Sequence, residues 1–174
     1  MGCVTFENID KKNAEAIVEI YNNYVLNTTA SYNTDAISAD DFIAYYQIEN
    51  PLTRSFAIKC CDGIAGFVVL KPWNYKKQAY RQTYEFTIYL KKEHCGKGIG
   101  KMAFAYLEAM IKNSDIAVIM AGLSADNESS RALLESQGFT ECGRFSRIGR
   151  KFGKYLDISY YQKCYEEKFV EKII

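Results

Sequence analysis

Histidine is nearly missing from this chain: His94 is the only one in 174 residues. The six cysteines, at positions 3, 60, 61, 95, 142 and 164, include no C-x-x-C pair, so no zinc-ligand set is recognisable and no metal is expected. Thiols without a disulfide framework fit a reducing compartment. Charge of one sign is also lacking, with 22 Lys and Arg against 21 Asp and Glu for a net +1. Such a balance gathers neither nucleic acid nor an anionic membrane surface. No run of about 18 apolar residues occurs, and Met1 to Glu7 carries no basic stretch followed by an apolar one. The expectation is therefore a soluble, unexported, cytoplasmic protein. Phe6 stands where a myristoylation signal after Gly2 needs Ser or Thr. The 14 tyrosines and 10 phenylalanines follow core periodicity and are not interleaved with a basic stripe, which argues for packing over base stacking.

What is present reads as one domain spanning residues 1–174, a length that buries roughly 70% of the unfolded surface around one core. Val4 to Ile9 predicts a first strand. Asp10 is placed to cap a helix carrying Ala14, Ile17, Val18, Tyr21, Tyr24 and Val25 and ending near Asn27. Ser38, with Asp41 three residues on, opens a short helix through Phe42, Ile43 and Tyr46. Ser55–Cys60 and Ile64–Leu70 flank Asp62-Gly63, a hairpin signal. Lys71–Ala79 reads as a loop, and Tyr80–Leu90 alternates as the longest strand, with Glu85 on its more polar face. An amphipathic helix follows Gly100, and Ile116–Ala121 predicts a buried strand. Asn127 suits an N-cap and Gly138 a left-handed helix end. Phe139–Phe145 and Tyr155–Tyr165 are final strands around a turn at Gly149–Gly153, before a polar tail from Glu166 to Lys168. The order of elements gives an α/β fold with a mixed sheet.

The chemistry concentrates in a strand, then His94-Cys95-Gly96-Lys97-Gly98-Ile99-Gly100, then a helix. Alternating glycines let successive backbone N–H groups converge on an anion, and a helix N-terminus adds its dipole. The spacing matches neither a P-loop nor the dinucleotide fingerprint, whose third glycine would fall at Lys101. A Cys-His nucleophile is disfavoured, because adjacent residues at a strand end rarely align as nucleophile and base.

This segment resembles motif A of the GNAT acetyltransferases. The resemblance sharpens toward the phosphinothricin and methionine sulfoximine N-acetyltransferase branch through Ile20-Tyr21-Asn22, Tyr24-Val25, Thr28, Ala30-Ser31-Tyr32, Ala79-Tyr80-Arg81, Thr83-Tyr84-Glu85, Asn127 with Ser130, Glu135 with Gly138-Phe139, and Lys151-Phe152-Gly153 with Leu156-Asp157. It implies a GNAT-type, mostly antiparallel mixed sheet flanked by helices, acetyl-CoA as cosubstrate, and a homodimer. It implies that Cys95, Gly96, Lys97, Gly98, Ile99, Gly100 and Lys101 hold the pyrophosphate while Ile88, Tyr89 and Leu90 pair with the pantetheine arm. Asn127, with Ser130, would contact that arm or simply cap its helix. Glu85 becomes the general base, and Tyr32, Arg81 and Lys151 the acceptor contacts.

Three residues or segments depart from the family pattern. Cys95 replaces a long polar side chain, Leu134 replaces a proton donor, and Trp73 to Lys77 replaces a more arginine-rich loop. The resemblance implies acetyl transfer to a small amino-acid-like amine in a ternary complex. Acetylation of a polyamine or a protein N-terminus, or a coenzyme-A-binding module with little catalysis, stays open.

Overall fold

The structure is a computed structural model that describes residues 4–61 and 63–165. Asp62 of the expected hairpin turn and the polar tail from Glu166 lie outside the described residues. Seven strands, β1 (Thr5–Asn8), β2 (Arg54–Cys60), β3 (Gly63–Pro72), β4 (Thr83–Leu90), β5 (Val118–Ser124), β6 (Thr140–Lys151) and β7 (Lys154–Cys164), form one sheet in the order β1-β2-β3-β4-β5-β7-β6. Four α-helices, α1 (Ala14–Asn27), α2 (Ala39–Tyr45), α3 (Ile99–Ile111) and α4 (Glu128–Ser136), cover its two faces. The mixed, mostly antiparallel architecture is the one expected, since among the described residues only β4 and β5 run parallel.

Side-chain alternation sorts the central strands into two cores. Val68 and Leu70 of β3, with Tyr84 and Phe86 of β4, pack beneath Phe104 and Leu107 of α3 and Leu134 of α4. Phe67 and Val69, one residue out of phase, pack beneath Ile17, Tyr21 and Val25 of α1 and Phe42 of α2. Because helices cover both faces, β3 is buried without a break from Ala65 to Leu70, which is why it reads as a continuous apolar run. Tyr21 is the hub of the second core, its ring edge-on to Phe42, Tyr46, Phe67 and Tyr89.

Several boundaries differ from the sequence expectations. Asn13, not Asp10, is the N-cap of α1. Asp10 instead closes an Asx-type turn, its Oδ1 accepting from the amides of Lys12 and Asn13. Ser38 caps α2 as expected, accepting from the Asp41 amide at 3.1 Å. Lys71 and Pro72 belong to β3 rather than to the loop. Tyr80 lies in a 3-10 turn (Gln78–Tyr80), which delays β4 to Thr83. The longest strand is β6, with 12 residues. Its register breaks between Phe145 and Gly149, around Arg147 at φ +56°. Asp157 secures that irregularity, accepting from the Arg147 amide at 2.8 Å and pairing with Arg144 at 2.9 Å. Those two contacts hold its carboxyl below the usual range. Among the described residues, no helix is long and apolar enough to cross a membrane.

Candidate active site

β4 and β5 pair over only three residues, Thr83 with Val118, Tyr84 with Ile119 and Glu85 with Met120. Beyond Glu85 both strands continue, β4 to Leu90 and β5 to Ser124, without pairing to each other. They open a V whose apex is Glu85, and a cleft of about 940 Å³ fills it. On the β5 side, the backbone of β4 past Glu85 has no sheet neighbour. From Thr87 to Leu90 that edge is half-buried and lines the cleft, where its amides and carbonyls are open to pair with a ligand.

The wide end of the cleft is built from backbone. Gly96 (φ +71°) and Gly98 (φ +80°) occupy the left-handed region, where a side chain would be strained. Gly98 is the N-cap of α3, and the first intrahelical bond runs from the Met102 amide to the Gly98 carbonyl at 3.1 Å. The preceding amides, from Ile99 to Lys101, have no intrahelical acceptor. The first turn holds no acidic residue, and the Lys97 and Lys101 side chains are exposed beside it. Here the chain presents a binding surface for a diffuse anion. Cys95 is exposed, with its Sγ 3.6 Å from the Lys91 carbonyl oxygen and 3.9 Å from the Tyr24 hydroxyl. The Tyr24 hydroxyl donates to the Leu90 carbonyl at 2.6 Å, fastening the end of β4 to α1. Burial pushes the Tyr24 phenol above its ordinary value.

The far wall is the start of α4. The Asn127 Oδ1 accepts from the Ser130 amide at 3.1 Å and from the Ser129 hydroxyl at 3.0 Å, so the capping role is realised. Asn127 and Ser130 both line the cleft. With its oxygen committed to the cap, Asn127 has its amide N–H groups left to meet a ligand. Asn127→Ala is expected to cost about 1 kcal/mol and to lower Tm by roughly 2–4 °C. A cap alone leaves the KM for the cosubstrate unchanged; a ligand contact raises it as well.

The narrow end is built from side chains. Glu85 faces Lys71, its cross-strand partner on β3, with the Lys71 Nζ 3.1 Å from Oε2. Both line the cleft, together with Tyr32, Tyr45 and Tyr160. The Lys71 ammonium also sits 5.6 Å from the centre of the Tyr45 ring. Burial and the nearby Glu85 carboxylate raise the Tyr160 phenol above its ordinary value, so it keeps its proton at neutral pH. Leu134, buried at 4%, supplies no proton donor.

The acceptor contacts expected from resemblance are not brought together. Tyr32 lines the cleft, but its hydroxyl is committed to the Asp157 carbonyl at 2.7 Å. Arg81 is exposed at the end of the 3-10 turn, away from the cleft lining, because that turn precedes β4. Lys151 is also absent from the lining; it is 5% exposed and donates to the Ser31 carbonyl at 2.7 Å. Burial lowers its pKa. Tyr32 and Lys151 therefore clamp the segment around Ser31 against the β6–β7 hairpin. Lys71, Tyr45 and Tyr160 escaped the sequence reading, although the cross-strand register would have given Lys71. Among the described residues, no group of three or more His, Cys, Asp or Glu side chains could hold a metal ion.

A family model described as an acetyltransferase (GNAT) domain matches residues 6–159. An L-methionine sulfoximine/L-methionine sulfone acetyltransferase of Salmonella typhimurium is 30% identical over 165 residues, covering 94% of this chain and 96% of that protein. An L-amino acid N-acyltransferase of Escherichia coli is 29% identical over 159 residues, covering 91% and 92%. The solved structure of a GNAT superfamily phosphinothricin acetyltransferase from Sinorhizobium meliloti, in complex with acetyl-CoA, matches with a TM-score of 0.85 at 26% identity, covering 92% and 88%.

Proposed function

The chain belongs to the GNAT acetyltransferase family and is an acetyl-CoA-dependent N-acetyltransferase; from that premise we propose that its acceptor is the amine of a small amino-acid-like molecule of the methionine sulfoximine and phosphinothricin class. Transfer is direct, within a ternary complex. The pyrophosphate of acetyl-CoA lies on the amides from Gly96 to Lys101, and the pantetheine arm pairs with Ile88, Tyr89 and Leu90 as an added strand. Asn127 and Ser130 close over it from α4.

The observation that carries this reading is where the sheet splits: the last residue of β4 paired with β5 is Glu85. An acyl donor lying along the open edge delivers its thioester to the one carboxylate at the apex. Glu85 takes one proton from the acceptor ammonium, the amine nitrogen attacks the thioester carbon, and the C–S bond breaks as the nitrogen releases its second proton to solvent and the amide forms. Backbone N–H groups of the unpaired stretch of β4 stabilise the oxyanion. The departing thiolate takes its proton from solvent or from a hydroxyl in the cleft, since Leu134 has none to give. A homodimer belongs to the same proposal. The exposed apolar side chains Phe145, Ile148, Phe152 and Tyr155 on the β6–β7 hairpin support it.

The test is thiol release from acetyl-CoA with methionine sulfoximine, methionine sulfone, phosphinothricin, spermidine and a peptide N-terminus as acceptors. Release with the amino-acid-like compounds, with intersecting double-reciprocal plots and no acetylated enzyme by mass spectrometry, is the expected result. Release only with spermidine or the peptide overturns the acceptor assignment. Coenzyme A binding without accelerated release for any acceptor overturns the catalytic one.

A further inference from the structure

We propose that Lys71 is a specificity-determining residue that receives the carboxylate of the acceptor, so that the Lys71–Glu85 pair recognises a zwitterionic α-amino acid as a unit. This rests on the amino-acid reading above and deepens it.

Charged side chains lining the cleft are few. Lys101 stands at the anion-binding end on α3, and Asp126 follows β5. Only Lys71 and Glu85 meet at the apex, where acyl transfer takes place. They are cross-strand partners with both side chains on the α1–α2 face of the sheet, and their side chains are 15% and 29% exposed. A pair this sheltered is screened less than a surface pair and stays positioned. An ammonium has three donors, and the contact with Oε2 uses one of them.

An α-amino acid carries its amine and its carboxylate two bonds apart, a spacing that matches a cation and a carboxylate in contact at 3.1 Å. Laid across the pair, the acceptor places its amine on Glu85 and its carboxylate on Lys71, a charge-assisted contact on each side. The cation at the apex also selects against the alternatives. A polyamine brings further positive charge toward Lys71 without a carboxylate to meet it, and a peptide N-terminus carries an amide where the carboxylate should be. Arg81 and Lys151, the cations expected for this role, are not among the residues lining the cleft, whereas Lys71 is.

The experiment compares methionine sulfone with its decarboxylated amine, 3-(methylsulfonyl)propylamine, in wild type, Lys71→Met and Lys71→Arg, with coenzyme A affinity and circular dichroism as checks of folding. Wild type is expected to favour the carboxylate-bearing acceptor by about 100-fold in kcat/KM, the scale of losing a hydrogen bond to a charged group. In Lys71→Met that ratio collapses to within about threefold, chiefly through KM for methionine sulfone. Lys71→Arg restores most of it.

A parallel loss of kcat on both acceptors in Lys71→Met would mean that Lys71 only positions Glu85, and an unchanged ratio would remove it from recognition; either result overturns the proposal. The wild-type ratio tests it even if Lys71→Met does not fold, because a value near one is incompatible with carboxylate recognition. Failure of the amino-acid reading itself looks different: wild type then acetylates neither methionine sulfone nor any other amino acid in the panel.

Discussion

Glu85→Gln is expected to lower kcat/KM for the preferred acceptor by about 100-fold near neutral pH, within the range that a positioned general base contributes. The substitution is nearly isosteric and leaves the three-residue pairing of β4 with β5 intact, so coenzyme A affinity measured by calorimetry should hold. What disappears is the acceptor for the ammonium proton. Transfer then depends on the amine that has already lost its proton in solution, a fraction that grows tenfold per pH unit below the amine's own pKa. The rate of the variant should climb steadily with pH and its deficit narrow in alkali. Wild-type rates across the whole pH range would remove Glu85 from the base role while leaving the family assignment untouched.

Gly66→Ala is expected to be the most damaging single-methyl change in the sheet. A Cβ at Gly66 would stand 2.3 Å from the Tyr89 carbonyl oxygen and 2.9 Å from the Leu90 Cα, and both are backbone atoms with no rotamer to yield. The strands must part, at a cost of about 3 kcal/mol, the upper end of ordinary overpacking. For a chain of this size that lowers Tm by roughly 6–12 °C. The displaced atoms belong to the open stretch of β4, so affinity for coenzyme A should fall with stability. Gly143→Ala is the control: its Cβ meets nothing within 4 Å, and its Tm should stay within about 2 °C of wild type. Equal melting of the two variants would refute the close approach of β3 and β4.

Legibility in the sequence divides along the same line as the cleft. Its wide end consists of backbone, specified by local features that a linear reading detects: an alternating strand, Gly96 and Gly98, and a helix beginning at Ile99. The narrow end consists of side chains brought together by register. Lys71 reads as loop because Pro72 and Trp73 interrupt the pattern, yet a proline at the last position of a strand leaves the pairing before it intact. Arg81 reads as strand because the alternation runs on through Tyr80, where the chain makes a 3-10 turn. The expected roles of Tyr32 and Lys151 rest on a different kind of signal. They belong to a set of residues that carry the family resemblance and that act as fasteners. Asn22 bonds both ways with Ile37, at 2.9 and 3.0 Å. Thr28 donates to the Tyr24 carbonyl, and the Tyr21 hydroxyl accepts from Asn33, which lies just outside that set. Tyr32 and Lys151 tie the same segment to the hairpin. Resemblance marks residues of this wall without distinguishing what touches a ligand from what holds the wall in place.

The divergence of β4 from β5 leaves unpaired edge inside a folded protein, the kind of surface on which polypeptides stack into aggregates. Shape is the safeguard. The gap narrows to the pairing at Glu85, with Leu134 and the start of α4 along one wall and the tyrosines of α1 and α2 along the other. A polypeptide strand carries side chains on alternate sides that these walls would have to accommodate, whereas the β-alanine and cysteamine part of a pantetheine arm offers its amides on an unbranched stretch. On the proposed binding mode, the molecule admitted to the edge is the one that shields it.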